Sequence, residues 1–148
     1  MTTAETAEAL AAWAGEVCAI DDTHDHEPKE RTESLPDAWA ITKSVAYADA
    51  PEQQIQQVEQ ARYKLSQFAV MLFVEPEPAD DAADALNAYC DALGAAADAD
   101  RTLGDRVENI APGWDFDFHL DAPFAELSDG TRARRLTMNL IVVESLST

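Results

Sequence analysis

The stretch that most constrains this chain runs from Arg62 to Glu75, RYKLSQFAVMLFVE. Tyr63 and Leu65 alternate with Lys64 and Ser66, the period of two that marks a strand, and Phe68 to Val74 is then apolar without a break. A short uninterrupted apolar run predicts a strand buried on both faces. Glu75-Pro76-Glu77-Pro78 ends it, because proline cannot donate to a ladder and disfavours helix just before itself. At about 3.3 Å per residue the segment reaches roughly 45 Å, longer than a small domain is wide. Its more polar end, residues 62–67, is therefore expected to project as an arm.

A helix is predicted next, with Asp80 or Asp81 as N-cap. Its buried stripe is Ala82, Leu86, Tyr89 or Cys90, Leu93 and Ala97, and its alanines allow close approach to a sheet. It ends near Asp98 to Gly104, where Leu103 anchors a turn and Gly104 takes a positive φ. A first helix is expected from Ala4 to Ile20. Leu10, Trp13, Val17 and Ile20 recur at steps of three and four, and Thr2 with Glu5 forms a capping box. Trp13 is a candidate contact with a neighbouring subunit.

Three further extended segments follow from period-two patterns. Trp39 to Ala48 puts Trp39, Ile41, Lys43, Val45 and Tyr47 on one side and small residues on the other. In the segment from Arg106 to Asp121, Trp114, Phe116, Phe118 and Leu120 alternate with Asp115, Asp117, His119 and Asp121, an aromatic face against an acidic one. Thr131 to Glu144 is the last strand, opening with Arg132, Arg134 and Arg135 just past a Ser128-Asp129-Gly130 turn. Those arginines are placed to answer the Asp ladder within a subunit or across an interface. Between the strands, Asp49 to Gln60 reads as a short helix or a polar loop.

Residues 21–36, DDTHDHEPKERTESLP, show charge and proline but no periodicity, an acidic loop longer than most connections in a compact domain. His24 and His26 flank Asp25, a spacing that suits metal ligation from an extended segment, but no third ligand follows at recognisable spacing, so neither metal nor cofactor is expected. Catalytic patterns are equally absent: no Gly-rich phosphate loop, nucleophile elbow, His-Glu-x-x-His or Cys-x-x-Cys occurs. The chain is not expected to be an enzyme.

At 148 residues the expectation is a single domain, 1–148. Cys18 and Cys90 sit among apolar neighbours and read as small buried hydrophobes. The start of the chain has no basic, apolar leader, and no apolar run approaches the roughly 20 residues a bilayer span needs, so a soluble protein made in a cytoplasm is expected, with no membrane partner. With 29 acidic and 10 basic side chains the formal net charge is −19, which repels phosphate backbones and argues against broad nucleic-acid binding. It suits a solvated acidic surface, including one adapted to salt, or a channel through which DNA slides without sticking. The element order predicts an α+β fold: a mostly antiparallel four-stranded sheet with one face covered by two helices and long strands projecting as arms.

The chain resembles the tail terminator proteins of long-tailed, siphovirus-type bacteriophages. The likeness rests on Leu10-x-x-Trp13, Tyr63 to Glu75, the stretch Ala99-Asp100-Arg101-Thr102-Leu103-Gly104-Asp105-Arg106-Val107, Asp129-Gly130-Thr131 and Thr137 to Glu144, in this order over most of the chain. The resemblance implies a structural virion protein at the head-proximal end of the tail, assembled in the host cytoplasm. It would form a homo-oligomeric ring of six copies that caps the tube of major tail tube protein, stops its polymerisation and meets the head-completion or connector protein, with genomic DNA passing through without tight binding. On that reading Trp13, Arg62, Lys64, Arg132, Arg134 and Arg135 are candidates for subunit or partner contacts, and Asp21, Asp22, Asp25, Asp115 and Asp117 for acidic groups facing a channel. Other readings are a different phage neck or tail-completion protein, and a soluble acidic domain or enzyme that binds a divalent metal.

Overall fold

A computed structural model describes residues 1–24, 35–49, 62–110, 116–120, 125–126, 130 and 132–146. The elements run α1 (Thr3–Cys18), β1 (Asp22–His24), β2 (Asp37–Asp49), β3 (Arg62–Val74), α2 (Ala79–Ala99), β4 (Asn109–Ile110), β5 (Phe116–Leu120), β6 (Ala125–Glu126) and β7 (Arg132–Leu146). Among the described residues the fold is α+β, with two helices on a mixed, curled sheet.

The expectation of a mostly antiparallel four-stranded sheet is corrected in two ways. The start of the acidic loop is itself a strand: β1 pairs in parallel with β2, Asp22 opposite Asp37 and His24 opposite Trp39, which makes the sheet mixed. The long segment expected from Arg106 to Asp121 is not one strand either: it holds β4 and β5, and β6 falls past its end, before the expected Ser128-Asp129-Gly130 turn. β4, β5 and β6 are separate pieces lying end to end along the same edge of β7, opposite Val143–Val142, Leu140–Leu136 and Ala133–Arg132 in turn. Among the described residues the sheet therefore has seven strands in the order β1-β2-β3-β7, with the three short pieces on the far side of β7. Neither change is legible from alternation, since a three-residue strand has too few positions to show a period.

The three long strands form the middle of this sheet. β3 is central, antiparallel to β2 on one side and to β7 on the other along its whole length. Its polar end, residues 62–67, is thus no free arm. It is paired on both sides as part of a three-stranded extension, because a strand this long leaves its backbone groups unsatisfied unless its neighbours are equally long. In β2 a bulge at Lys43 shifts the register between Thr42 and Ser44. A one-residue slip turns every later side chain to the other face. Trp39 and Ile41 consequently share one face while Val45 and Tyr47 lie on the opposite one, unlike the single large-residue face that strict alternation predicts.

Both helices lie on one side of the sheet. There Leu10, Ala11 and Ala14 of α1 and Ala82, Leu86, Leu93 and Ala97 of α2 join Ala38, Ala40, Phe68, Val70, Leu72, Leu136, Met138 and Leu140 in one core. Thr2 caps α1 as expected: its Oγ1 accepts from Glu5 N–H, and Glu5 Oε1 accepts from Thr2 N–H, each at 3.1 Å. In α2, Pro78 occupies the N-cap position with no side-chain bond, so Asp80 and Asp81 fall in the first turn instead. They favour the helix through its dipole rather than as caps.

The Asp100–Asp105 turn closes α2. Asp100 Oδ1 accepts from Thr102 N–H at 3.0 Å and from Thr102 Oγ1–H at 2.6 Å, and its Oδ2 accepts from Gly104 N–H at 3.0 Å. Leu103, Gly104 and Asp105 all have positive φ, at 53°, 71° and 64°. Only Gly104 adopts such a conformation without steric cost. Leu103 does so because its side chain, 1% exposed, is buried in the helix-side core.

Candidate assembly surface

With both helices on one side, the opposite face of the sheet is covered by no described helix. At one end a second, smaller cluster of Leu35, Trp39, Met71, Phe73 and Ala133 fills it, and Trp39 stacks on Phe73 with ring centroids 4.0 Å apart. Asp37 is fully buried at this end. Arg135 brings a guanidinium N–H to 4.0 Å from the Met71 sulfur.

Past that cluster the face turns polar. Lys43 Nζ donates to Asn139 Oδ1 at 3.4 Å, Asn139 Nδ2 donates to Asp117 Oδ1 at 2.9 Å, and His119 Nε2 lies 3.4 Å from the same carboxylate oxygen. Three strands supply this row: β2 through Lys43, β7 through Asn139 and β5 through Asp117 and His119. Lys43, Asn139 and Asp117, together with Gln67 and Ile141, line an open hollow of about 230 Å³. Asp117 and His119 are each two-thirds exposed, so their attraction is screened by water and contributes little to stability. The row can offer hydrogen bonds and charge to something lying across the face.

The aromatic side of β5 behaves as the alternation predicts. Phe116 and Phe118 turn to the helices and meet edge-on, with centroids 5.8 Å apart, while Asp117 and His119 face the other way. Arg101, from the Thr-Leu-Gly turn, places its guanidinium 5.4 Å from the Phe116 ring centroid, within cation–π range, and so ties that turn to the sheet edge.

The other residues singled out from the sequence are scattered. Trp13 is 4% exposed and belongs to the core, so in the isolated subunit its indole meets its own sheet rather than a neighbour. Lys64 is 9% exposed, whereas Arg62 is exposed at the far end of β3. Arg132 is exposed and Arg134 half-buried at the start of β7. Among the acids, Asp21 is exposed and Asp22 pairs with His24 at 2.8 Å on β1. By register Asp22 and His24 share the face of Asp37 and Trp39, the same face as Asp117. Asp25, Asp115, His26, residues 50–60 of the element expected from Asp49, and Ser128 and Asp129 of the expected turn lie outside the described residues. Among the described residues no three His, Cys, Asp or Glu side chains come together in a group that could hold a metal ion.

The charge is unevenly distributed. α2 carries Asp80, Asp81, Asp84, Asp91 and Asp98 and no basic residue, and α1 carries Glu5, Glu8 and Glu16 and none either. Both cysteines are half-buried and free, and burial pushes the Cys18 thiol up to about 12. No described helix is long and apolar enough to cross a membrane. What the sequence did not reveal is the Lys43–Asn139–Asp117 row. Its members are far apart in the chain, and Lys43 enters it at a bulge that breaks the very alternation used to assign faces. Comparison with protein-family models and with curated proteins returns no match.

Proposed function

We propose that this chain is a structural subunit of a phage tail that assembles into a ring, caps the tail tube to stop its growth, and joins the tail to the head connector around a DNA channel. The observation that supports it is a sheet with helices on one face only, a polar row across the other, and lateral edges that have no strand partner among the described residues. Such a subunit suits a ring: copies set side by side leave their helices on one side and line a passage with the opposite face, and a ring closed by heterologous contacts has no free end, so it ends a polymer. The residue pattern it shares with tail terminator proteins points the same way. Asp22, Asp117 and the uncharged Gln67, Thr137 and Asn139 would then face the passage, with Lys43 set beside Asn139 and Asp117 and Arg135 against Met71. The cations of this lining lie among acidic and amide groups in a subunit of strong net negative charge, which limits its hold on phosphates.

Imaging of assembled tails tests this directly. The expected result is one ring of this chain at the head-proximal end of the tube, and tubes of uncontrolled length when the chain is missing. A protein that is absent from purified virions and stays monomeric overturns the reading. Presence in virions with normal tube length in its absence would instead make it another neck or completion protein.

A further inference from the structure

Two edges of the sheet lack a strand partner among the described residues. One is β2 beyond Trp39, which from residue 40 onward pairs only with β3, and the other is β5, which pairs only with β7. Their chemistry differs. From Ala40 to Ala48 the β2 edge has one charged residue, Lys43, on the helix-free face, whereas β5 places Asp117 on that same face. The large apolar side chains left exposed among the described residues are Met1, Ile41, Val45, Tyr47, Leu120 and Leu146, and four of these six lie on the two edges.

We propose that the two edges are complementary docking surfaces for a second copy of this chain, β2 of one subunit pairing antiparallel with β5 of the next, so that Lys43 and Asp117, which Asn139 bridges within one subunit, also meet across the contact. The inference rests on the ring reading above and names its subunit contact. Direction favours it. β2 is antiparallel to β3, β3 to β7 and β7 to β5, so β2 and β5 of one subunit run in opposite senses. A rotation about an axis along the strands therefore brings β2 of one copy antiparallel to β5 of its neighbour, with the helices of both on the same side.

Charge selects this pairing over the symmetric ones. An antiparallel β2–β2 contact centred on the bulge sets Lys43 against Lys43, and a β5–β5 contact centred on the acidic face sets Asp117 against Asp117. Like charges directly opposite each other on a sheet are destabilising. A lysine on an edge strand is a common guard against self-pairing, and here the same lysine fits the acidic edge. Ile41, Val45 and Leu120 lose contact with water when a second strand covers them, which adds an apolar contribution that the charge pair steers.

Charge reversal tests the contact in the full-length protein. Association is measured by analytical ultracentrifugation at about 0.15 M salt, where the screening length is about 8 Å, with circular dichroism to confirm that each variant is folded. Lys43→Glu and Asp117→Lys should each weaken association roughly tenfold or more, and the double variant should restore it, as expected for like charges forced together and then re-paired. If Asp117→Lys has no effect while Lys43→Glu weakens association, Asp117 is not the partner of Lys43 across the contact and the proposal fails. If the wild type forms rings that neither reversal disturbs, the edge pairing is wrong and the ring reading stands. A wild type that stays monomeric both alone and on tube ends overturns both.

Discussion

Gly15 shows how a single position is decided by its surroundings rather than by propensity. Alanine normally stabilises a helix over glycine by about 0.5–1 kcal/mol. A Cβ at Gly15, however, would sit 2.4 Å from Thr23 Cγ2 and 2.7 Å from the Ile20 carbonyl oxygen, and the second of these is backbone that cannot swing aside. Overpacking of this kind costs about 1–3 kcal/mol. Gly15→Ala should therefore lower stability, and a rise in urea midpoint would contradict the close approach of α1 to β1. At Asp100 the deciding factor is charge. The Thr102 hydroxyl, then the Thr102 and Gly104 backbone N–H groups, donate to its carboxylate and hold it below its ordinary value of 3.8. A depressed carboxylate adds stability above its unfolded value that is lost as pH falls through the folded one. Asp100→Asn should thus be less stable than wild type at neutral pH, and the two acid-unfolding curves should converge below about pH 3.8.

Among the elements, the turn from Asp100 to Asp105 has the most to hold together. Three consecutive residues in left-handed conformation are costly for L-amino acids, roughly 1–2 kcal/mol for each that is not glycine. The buried Leu103 side chain and the bonds to Asp100 offset that cost. Leu103→Ala keeps the strained φ but removes the burial, so a loss of about 2–5 kcal/mol is expected in chemical denaturation, the range for a fully buried leucine. Cys18 lies where the end of α1 packs against the core, and a thiol pushed up to about 12 is almost wholly protonated at pH 8. Only the thiolate reacts readily. In the folded protein Cys18 should be modified by a thiol reagent far more slowly at pH 8 than in denaturant, and equal rates would show that the helix end is not packed as described. The strands show the reverse relation between part and whole: β3 keeps its long extended form because β2 and β7 match it, not because its own polar end favours it.

For the whole molecule, the net charge of −19 sets the terms on which copies can meet. Each subunit brings strong self-repulsion, whereas the proposed edge contact offers one cation and one carboxylate. Repulsion spread over the molecule outweighs a single pair, so raising salt from about 0.05 M to about 0.5 M, which shortens the screening length from over 10 Å to about 4 Å, should strengthen association. Sedimentation at the two salt concentrations checks this, and weaker association at high salt would mean that a larger set of opposite charges holds the copies together.

Some of this was written in local sequence. Phe68 to Val74 specified a strand buried on both faces, the alanine-rich stripe of α2 placed Leu86 and Leu93 inward, Thr2 and Glu5 capped α1, and Phe116, Asp117, Phe118 and His119 sorted to opposite faces of β5. Each depends on neighbours a few residues away, and periodicity reports such relations. Strand pairing joins residues distant in the chain. The parallel addition of β1, the division of one predicted strand into β4 and β5, the appearance of β6 past its end, the bulge that sends Tyr47 to the face opposite Trp39, and the meeting of Lys43, Asn139 and Asp117 all depend on it. A register is fixed by the whole sheet satisfying its backbone at once, so only the tertiary structure could decide them.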